Sequence, residues 1–204
     1  MTIAQIIALI FLSVYYIAYI TKMLVLRKRG ISAGLLGKGE KSSNELIIEK
    51  SLRSITIFGA AIQFRSVLLP WSVWTPPVFL PVQITGLALM LLGNLFFIAA
   101  MLTMRNNWRA GFERNQNTNL VTNGIYKFSR NPAFVGFDLL YIGCSAAFPN
   151  IVNITAAIIC VVLFHVQILG EEKFCALMFG KEYESYTGRV NRYLGRRIKK
   201  TGDK

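Results

Sequence analysis

Two groups of residues have the types and spacing to do chemistry. Residues 123–134 read Asn-Gly-Ile-Tyr-Lys-Phe-Ser-Arg-Asn-Pro-Ala-Phe and run into an apolar stretch. A second apolar stretch follows and ends in the acid pair Glu171-Glu172. Ionisable groups are costly in lipid, so two carboxylates where a helical hairpin leaves the membrane point to a site at the membrane surface. Each candidate also has a plainer reading. The acids could be a helix end entering water. Tyr126 and Phe128 could belong to an interfacial aromatic belt.

The elements that must position these residues are read from composition. The 204 residues are 53% hydrophobic and only 16% charged, against about a quarter charged in a soluble domain. The apolar residues form five nearly charge-free blocks, 3–21, 54–69, 79–104, 133–148 and 151–169. A span needs about 20 apolar residues, so the blocks predict an all-α, integral membrane bundle of five transmembrane helices. Pro149-Asn150 alone joins the last two blocks, a turn signal, and makes them a tight hairpin. The first block lacks a basic start and a small-residue cleavage site and is not read as a cleaved signal peptide.

Charge sets the expected orientation. All but Arg65 of the 23 Lys and Arg, and all but Asp138 of the 10 Asp and Glu, fall in residues 22–53, 105–130 and 171–204. With five spans these segments share one side, and basic loops stay cytoplasmic. The N-terminus is then outside, and the C-terminus and the site are cytoplasmic. The turn Pro70–Pro77 faces out with Trp71 and Trp74 at interface depth. The net charge of +13 reads as this inside bias plus attraction to anionic lipid head groups, not as nucleic-acid binding. The tail Arg196-Arg197-Ile198-Lys199-Lys200 is a solvated, lipid-facing end. Residues 1–104 form a membrane unit with the cytoplasmic loop 22–53. Residues 105–204, with the hairpin 133–169, form the site-bearing unit. The loop 27–45 has flexible-linker chemistry, with four glycines and a Ser-Ser-Asn run, and its glycines do not match a phosphate-binding loop. Residues 46–53 lead helically into the second span.

Residues 120–136, Leu-Val-Thr-Asn-Gly-Ile-Tyr-Lys-Phe-Ser-Arg-Asn-Pro-Ala-Phe-Val-Gly, resemble the signature of the isoprenylcysteine carboxyl methyltransferase family. That signature has Leu-Val-x-x-Gly-(Ile/Val)-Tyr, then Arg-His-Pro-x-Tyr, a hairpin and Glu-Glu. Asn106-Asn107-Trp108 upstream and Phe179-Gly180-Lys181-Glu182-Tyr183-x-x-Tyr186-x-x-Arg189 downstream also fit. The likeness covers residues 105–195 and extends in part to phospholipid methyltransferases. It implies a membrane-embedded methyltransferase that uses S-adenosylmethionine and takes a lipophilic small molecule from the bilayer. Carried over by position, the cofactor residues are Thr118, Asn119, Leu120, Val121, Tyr126, Asn131, Pro132, Ala133, Phe134, Glu171 and Glu172. No metal is implied. Two departures stand out. Arg130-Asn131-Pro132-Ala133-Phe134 replaces Arg-His-Pro-x-Tyr, which removes a hydroxyl at Phe134. Gln167 stands where eukaryotic members place a substrate-holding arginine, and it offers no charge to a carboxylate. Position 167 therefore favours a neutral acceptor, such as an amine, hydroxyl or phenol on a lipid or quinone-like molecule.

The residue types suit that cofactor. Glu171 matches its ammonium. Backbone N–H groups at the helix start near 130–134 match its carboxylate, and Pro132 fits a first helical turn. Tyr126 and Phe134 offer ring faces to the adenine or the sulfonium. Methyl transfer needs alignment more than a covalent intermediate, so the missing nucleophile–base constellation is expected. Arg189 and Arg192 are either basic surface or candidates that close over the substrate. His165 is read as a helix-packing hydrogen bonder. Asp138 needs a partner in lipid, expected from Arg105 or Arg109. Cys144, Cys160 and Cys175 lack metal or CxxC spacing, and the first two are small apolar fillers. Two further readings remain, a non-catalytic relative acting as a membrane interaction protein and a small transporter. Against the transporter, intramembrane charge is confined to Arg65 and Asp138 and no half-repeat is visible.

Overall fold

The computed structural model describes residues 1–39, 41–69, 76–111 and 119–197. Six α-helices follow in order: α1 (Ile3–Lys28), α2 (Ser43–Leu68), α3 (Leu80–Met104), α4 (Pro132–Ala147), α5 (Ile151–Phe179) and α6 (Lys181–Thr187). Short 3-10 turns lie at Arg105–Asn107 and Gly124–Lys127, and no strand occurs among the described residues. Three helices, α1, α3 and α5, are long and apolar enough to cross a membrane. α2 carries Glu45, Glu49, Lys50, Arg53 and Arg65 along its length, and α4 has 16 residues. Thr118, residues 70–75 with both expected interfacial tryptophans, and residues 198–200 of the basic tail lie outside the described residues.

Local chemistry starts α1 and α5 where their blocks begin, and α2 well before its block, at Ser43. Thr2 and Gln5 close a capping box on α1, and Ser42 and Glu45 do the same on α2; each box satisfies two otherwise orphaned N–H groups. Residues 46–53 are helical as expected, as the first part of one continuous α2. Asn150 caps α5 by accepting from the Asn153 N–H at 2.8 Å, and Phe148–Asn150 is the whole connection between α4 and α5. α5 does not stop at its acid pair. Its 29 residues give a length of about 44 Å, longer than a hydrocarbon core of about 30 Å. Glu171 and Glu172 thus sit inside a helix that continues two turns beyond them.

α3 and α4 pack backbone to backbone through two pairs of glycines. A Cβ at Gly86 would lie 2.6 Å from the Gly143 carbonyl oxygen, and one at Gly93 would lie 2.8 Å from that of Gly136. Each pair is seven residues from the next on its own helix, so the seam holds over two turns. Small residues drive such close contacts where lipid supplies no hydrophobic force between helices. Around this seam α1 joins by aromatic packing: Tyr15 stacks on Phe97 at 4.3 Å, and Phe97 meets Trp108 edge-on at 5.6 Å. Side chains tie the rest. Tyr16 donates to Gln63 Oε1 at 2.6 Å, and Lys22 donates to the Met101 carbonyl at 3.1 Å.

The loop after α1 departs from the linker reading. Ala33 and Leu35 are buried. The Leu35 N–H donates to the Ala110 carbonyl at 2.8 Å, and the Ala110 N–H returns a bond to Ala33 at 2.8 Å. The glycines suggested a solvated connection. Instead, the apolar residues at alternate positions 31, 33 and 35 face inward, and the backbone pairs with residues beyond α3. The expected pairing of Asp138 with Arg105 or Arg109 is also absent among the described ion pairs. Asp138 Oδ1 is buried without a hydrogen-bond partner, while Arg109 turns to the carbonyls of Asn106 and Trp108. His165 hydrogen-bonds not to a neighbouring span but to the Tyr193 hydroxyl of the C-terminal segment, which it also stacks on.

Candidate functional site

A cavity of about 480 Å³ opens where α4, α5 and the 3-10 turn at 124–127 meet the N-terminal helices. Six of the sequence-derived positions line it: Tyr126, Asn131, Pro132, Ala133, Phe134 and Glu171. Gln167 joins them, one turn before Glu171 on the same face. The fold makes this grouping directly. Pro132 begins α4 at the cavity, so the first turn of the helix forms one wall and the far part of α5 the opposite one.

Tyr126 is buried at 5% exposure, and its carbonyl accepts from the Tyr186 hydroxyl at 2.7 Å. Burial, with Tyr186 and the Glu171 charge nearby, pushes its phenol far above the ordinary range, so it is present as a neutral ring and hydroxyl. Phe128 is exposed at 56%, with Arg196 6.0 Å above its ring. Of these two aromatics, Tyr126 lies in the cavity wall and Phe128 at the surface. Phe134 sits edge-on to Phe137 at 5.7 Å and within 6.0 Å of Phe164, which fixes its ring plane against the cavity.

The two acids separate. Glu171 lines the cavity and accepts a hydrogen bond from Gln167 Nε2 at 3.0 Å. Glu172 lies outside the cavity lining, and three side chains saturate its carboxylate. Arg130 reaches Oε1 through Nε at 3.0 Å and an amino nitrogen at 2.8 Å; Asn131 adds a bond at 3.0 Å, and Arg192 takes Oε2 at 2.9 Å. Glu172 therefore clamps the 123–131 loop and the 190–196 segment to α5. Backbone bonds complete the clamp, from Arg130 N–H to Asn191 and from Gly195 N–H to Phe128. Asn131, the first departure from the family signature, does its hydrogen bonding here, to Glu172 and to the Arg192 carbonyl at 3.2 Å.

Other expected positions lie elsewhere. Leu120 and Val121 pack on the apolar core, Asn119 is exposed, and none of the three lines the cavity. Arg189, just past the end of α6, is exposed and donates to the Ser185 carbonyl at 3.2 Å. Arg192 is taken up by Glu172.

Sequence reasoning missed the N-terminal contribution. Tyr15, Tyr16 and Tyr19 of α1 line the cavity, as do Arg53, Thr56 and Ala60 of α2. Their spacing on α2, three to four residues apart, is a helix-face signal, but it looks like any packed face until the partner is known. Arg53 and Arg109 also put cations in the wall, so the charge of an acceptor is not set by position 167 alone. Beneath the cavity, Glu49 is buried at 1% exposure and pairs with Lys41, while its other oxygen accepts from Gln167 at 3.4 Å.

Among the described residues these features define an all-helical, integral membrane protein with a cavity built largely on α4 and α5. Residues 82–182 match the phospholipid methyltransferase family. Curated relatives agree with that match. The chain is 28% identical over 116 residues to the protein-S-isoprenylcysteine O-methyltransferase of Schizosaccharomyces pombe, covering 55% of this chain and 49% of the relative. It is 28% identical over 108 residues to protein-S-isoprenylcysteine O-methyltransferase B of Arabidopsis thaliana, covering 52% and 55%. The human protein-S-isoprenylcysteine O-methyltransferase is 31% identical over 111 residues, covering 53% and 39%. The chain thus spans about half the length of the curated relatives it matches, or less. Over this region the chain is similar both to the phospholipid methyltransferases and to the protein-S-isoprenylcysteine O-methyltransferases.

Proposed function

We propose that this protein is an S-adenosylmethionine-dependent methyltransferase that acts on a lipid or lipid-linked small molecule drawn from the bilayer. The observation that carries this reading is Glu171, a carboxylate in the wall of a cavity of about 480 Å³ at the start of α4. A small-molecule site measures roughly 300–1,000 Å³ and combines apolar walls with few convergent polar groups, and this cavity meets both conditions. The residues present fit the cofactor. Glu171 matches an ammonium, the free N–H groups at the start of α4 match a carboxylate, and Tyr126 and Phe134 match a ring or sulfonium.

When bound, S-adenosylmethionine supplies an electrophilic methyl group on a positively charged sulfur. The residues of this chain align, shield and hold charge. Glu171 anchors one end of the cofactor with a charge-assisted bond. The Glu172 clamp holds the 123–131 loop, which brings Tyr126 and Asn131 to the cavity wall, against α5. Alignment of this kind accounts for a large part of the barrier in a displacement between two bound molecules. The tyrosines of α1 and the apolar face of α2 are suited to the lipophilic acceptor, and Arg53 in the wall is suited to an acidic head group.

The reading includes five spans, α1 to α5, with the N-terminus outside and the site on the cytoplasmic side. The charge distribution supports this orientation. Residues 105–204 carry the family motif, with α1 and α2 completing the acceptor side. A non-catalytic interaction protein would not need the carboxylate in the wall. Isothermal titration calorimetry with the purified chain in detergent tests the proposal. Binding of S-adenosylmethionine by the wild type, weakened at least tenfold in Glu171→Ala, is expected. No binding by the wild type overturns it.

A further inference from the structure

We propose that Glu49, held by Lys41, is a positioning residue that aims the Glu171 carboxylate into the cavity through Gln167. The inference rests on the reading of Glu171 given above, and the residues it adds, Glu49 and Lys41, lie outside the 82–182 family match.

The Gln167 side chain lies between two carboxylates. Its Nε2 is 3.0 Å from Glu171 Oε1 and 3.4 Å from Glu49 Oε1. An amide nitrogen has two hydrogens, so one goes to each acid. The reverse orientation would set the amide oxygen against two carboxylates. Gln167 is 3% exposed, so bulk solvent has little access to those hydrogens. With one hydrogen held by Glu49, the other has a single direction, toward Glu171.

Glu49 is itself fixed. Its Oε2 accepts from the Gly37 N–H at 2.7 Å and pairs with Lys41. The side chains of Glu49 and Lys41 are 1% and 0% exposed. A buried charge without a partner is costly, and Lys41 removes that cost. It also cancels the charge of Glu49. Of the two carboxylates that Gln167 joins, Glu171 then remains the one that no described ion pair offsets, and it is the one that lines the cavity. The same acid stands against the loop pairing that closes the cavity, since a Cβ at Gly111 would come within 3.3 Å of Glu49 Oε1.

Calorimetry on the full chain in detergent, with two ligands, tests this. S-adenosylmethionine carries the amino-acid end; 5′-methylthioadenosine has the same adenosine and sulfur without it. Glu49→Gln should weaken the first at least tenfold and leave the second within about twofold. In a Gln167→Leu background the same change should add no further loss, because residues that act through one another are not additive. The double variant Glu49→Gln, Lys41→Met removes both charges, so it avoids an unpaired buried lysine. Its unfolding temperature should stay near the wild type while the selective loss persists. Unchanged S-adenosylmethionine affinity in both variants, equal loss for the two ligands, or losses that add across Gln167→Leu would each overturn the inference. Loss of binding in the wild type is a separate result: it removes the reading of Glu171 itself.

Discussion

At the scale of single residues, two adjacent acids divide two kinds of work. Glu171 faces the cavity and Glu172 faces the arginines, because successive residues on a helix point about 100° apart. Glu171→Ala should cost roughly 1.5–3 kcal/mol of cofactor affinity, the worth of a hydrogen bond to a charged group. Glu172→Ala should act differently. It leaves Arg130, whose side chain is 6% exposed, without its carboxylate. The loss should show mainly as a lower unfolding temperature and faster proteolysis of the C-terminal segment. Affinity lost in Glu172→Ala at an unchanged unfolding temperature would reverse the two roles. Asn131 belongs to the same clamp. A histidine there could keep one donor to Glu172, so Asn131→His should retain more stability than Asn131→Leu.

At the scale of elements, α4 is placed by its neighbours more than by its own length. Its 16 residues are marginal for a span, but the glycine seam with α3 brings backbones together along its whole course. A larger residue in that seam must push the helices apart. Gly93→Leu or Gly136→Leu should destabilise the protein by several kcal/mol, since even a Cβ would fall 2.8 Å from a carbonyl oxygen. Thermal unfolding in detergent reads this directly. Leu92→Ala on the same helix, at a residue 44% exposed, should change little. Equal effects at the two sites would mean that the seam does not set the packing.

At the scale of the whole molecule, the cavity is shared between halves that carry different sequence signals. The C-terminal half brings the motif, and the N-terminal half brings the tyrosines, Arg53 and the Glu49–Lys41 pair. A chain of this design works only when the loop after α1 and the loop after α3 lie on one side of the membrane, as their pairing at Ala33, Leu35 and Ala110 requires. Cysteines at Val78 and Arg196, placed in a Cys175→Ser background, should therefore label from opposite sides, with Val78 external. Cys144 and Cys160 are buried and should not interfere. Labelling of both positions from the same side would contradict the five-span orientation.

The sequence by itself determined that the chain is helical and apolar in blocks, and it located most of each helix. Long charge-free runs with caps such as Ser42 and Glu45 are local signals, and local signals survive in one dimension. It also determined the cluster around Tyr126, Pro132 and Glu171, because the motif and the acid are ordered along two connected helices. Only the tertiary structure showed that Glu172 turns from the cavity to a clamp, since that depends on where Arg130 and Arg192 return from 42 and 20 positions away. Only it showed that residues 31–37 are packed, since glycines have the same look in a linker and in a tight inward turn. And only it joined Glu49 to Gln167, 118 positions apart. A hydrogen bond between distant helices leaves no periodicity or spacing to read; it exists once packing has removed the water that would otherwise satisfy both groups.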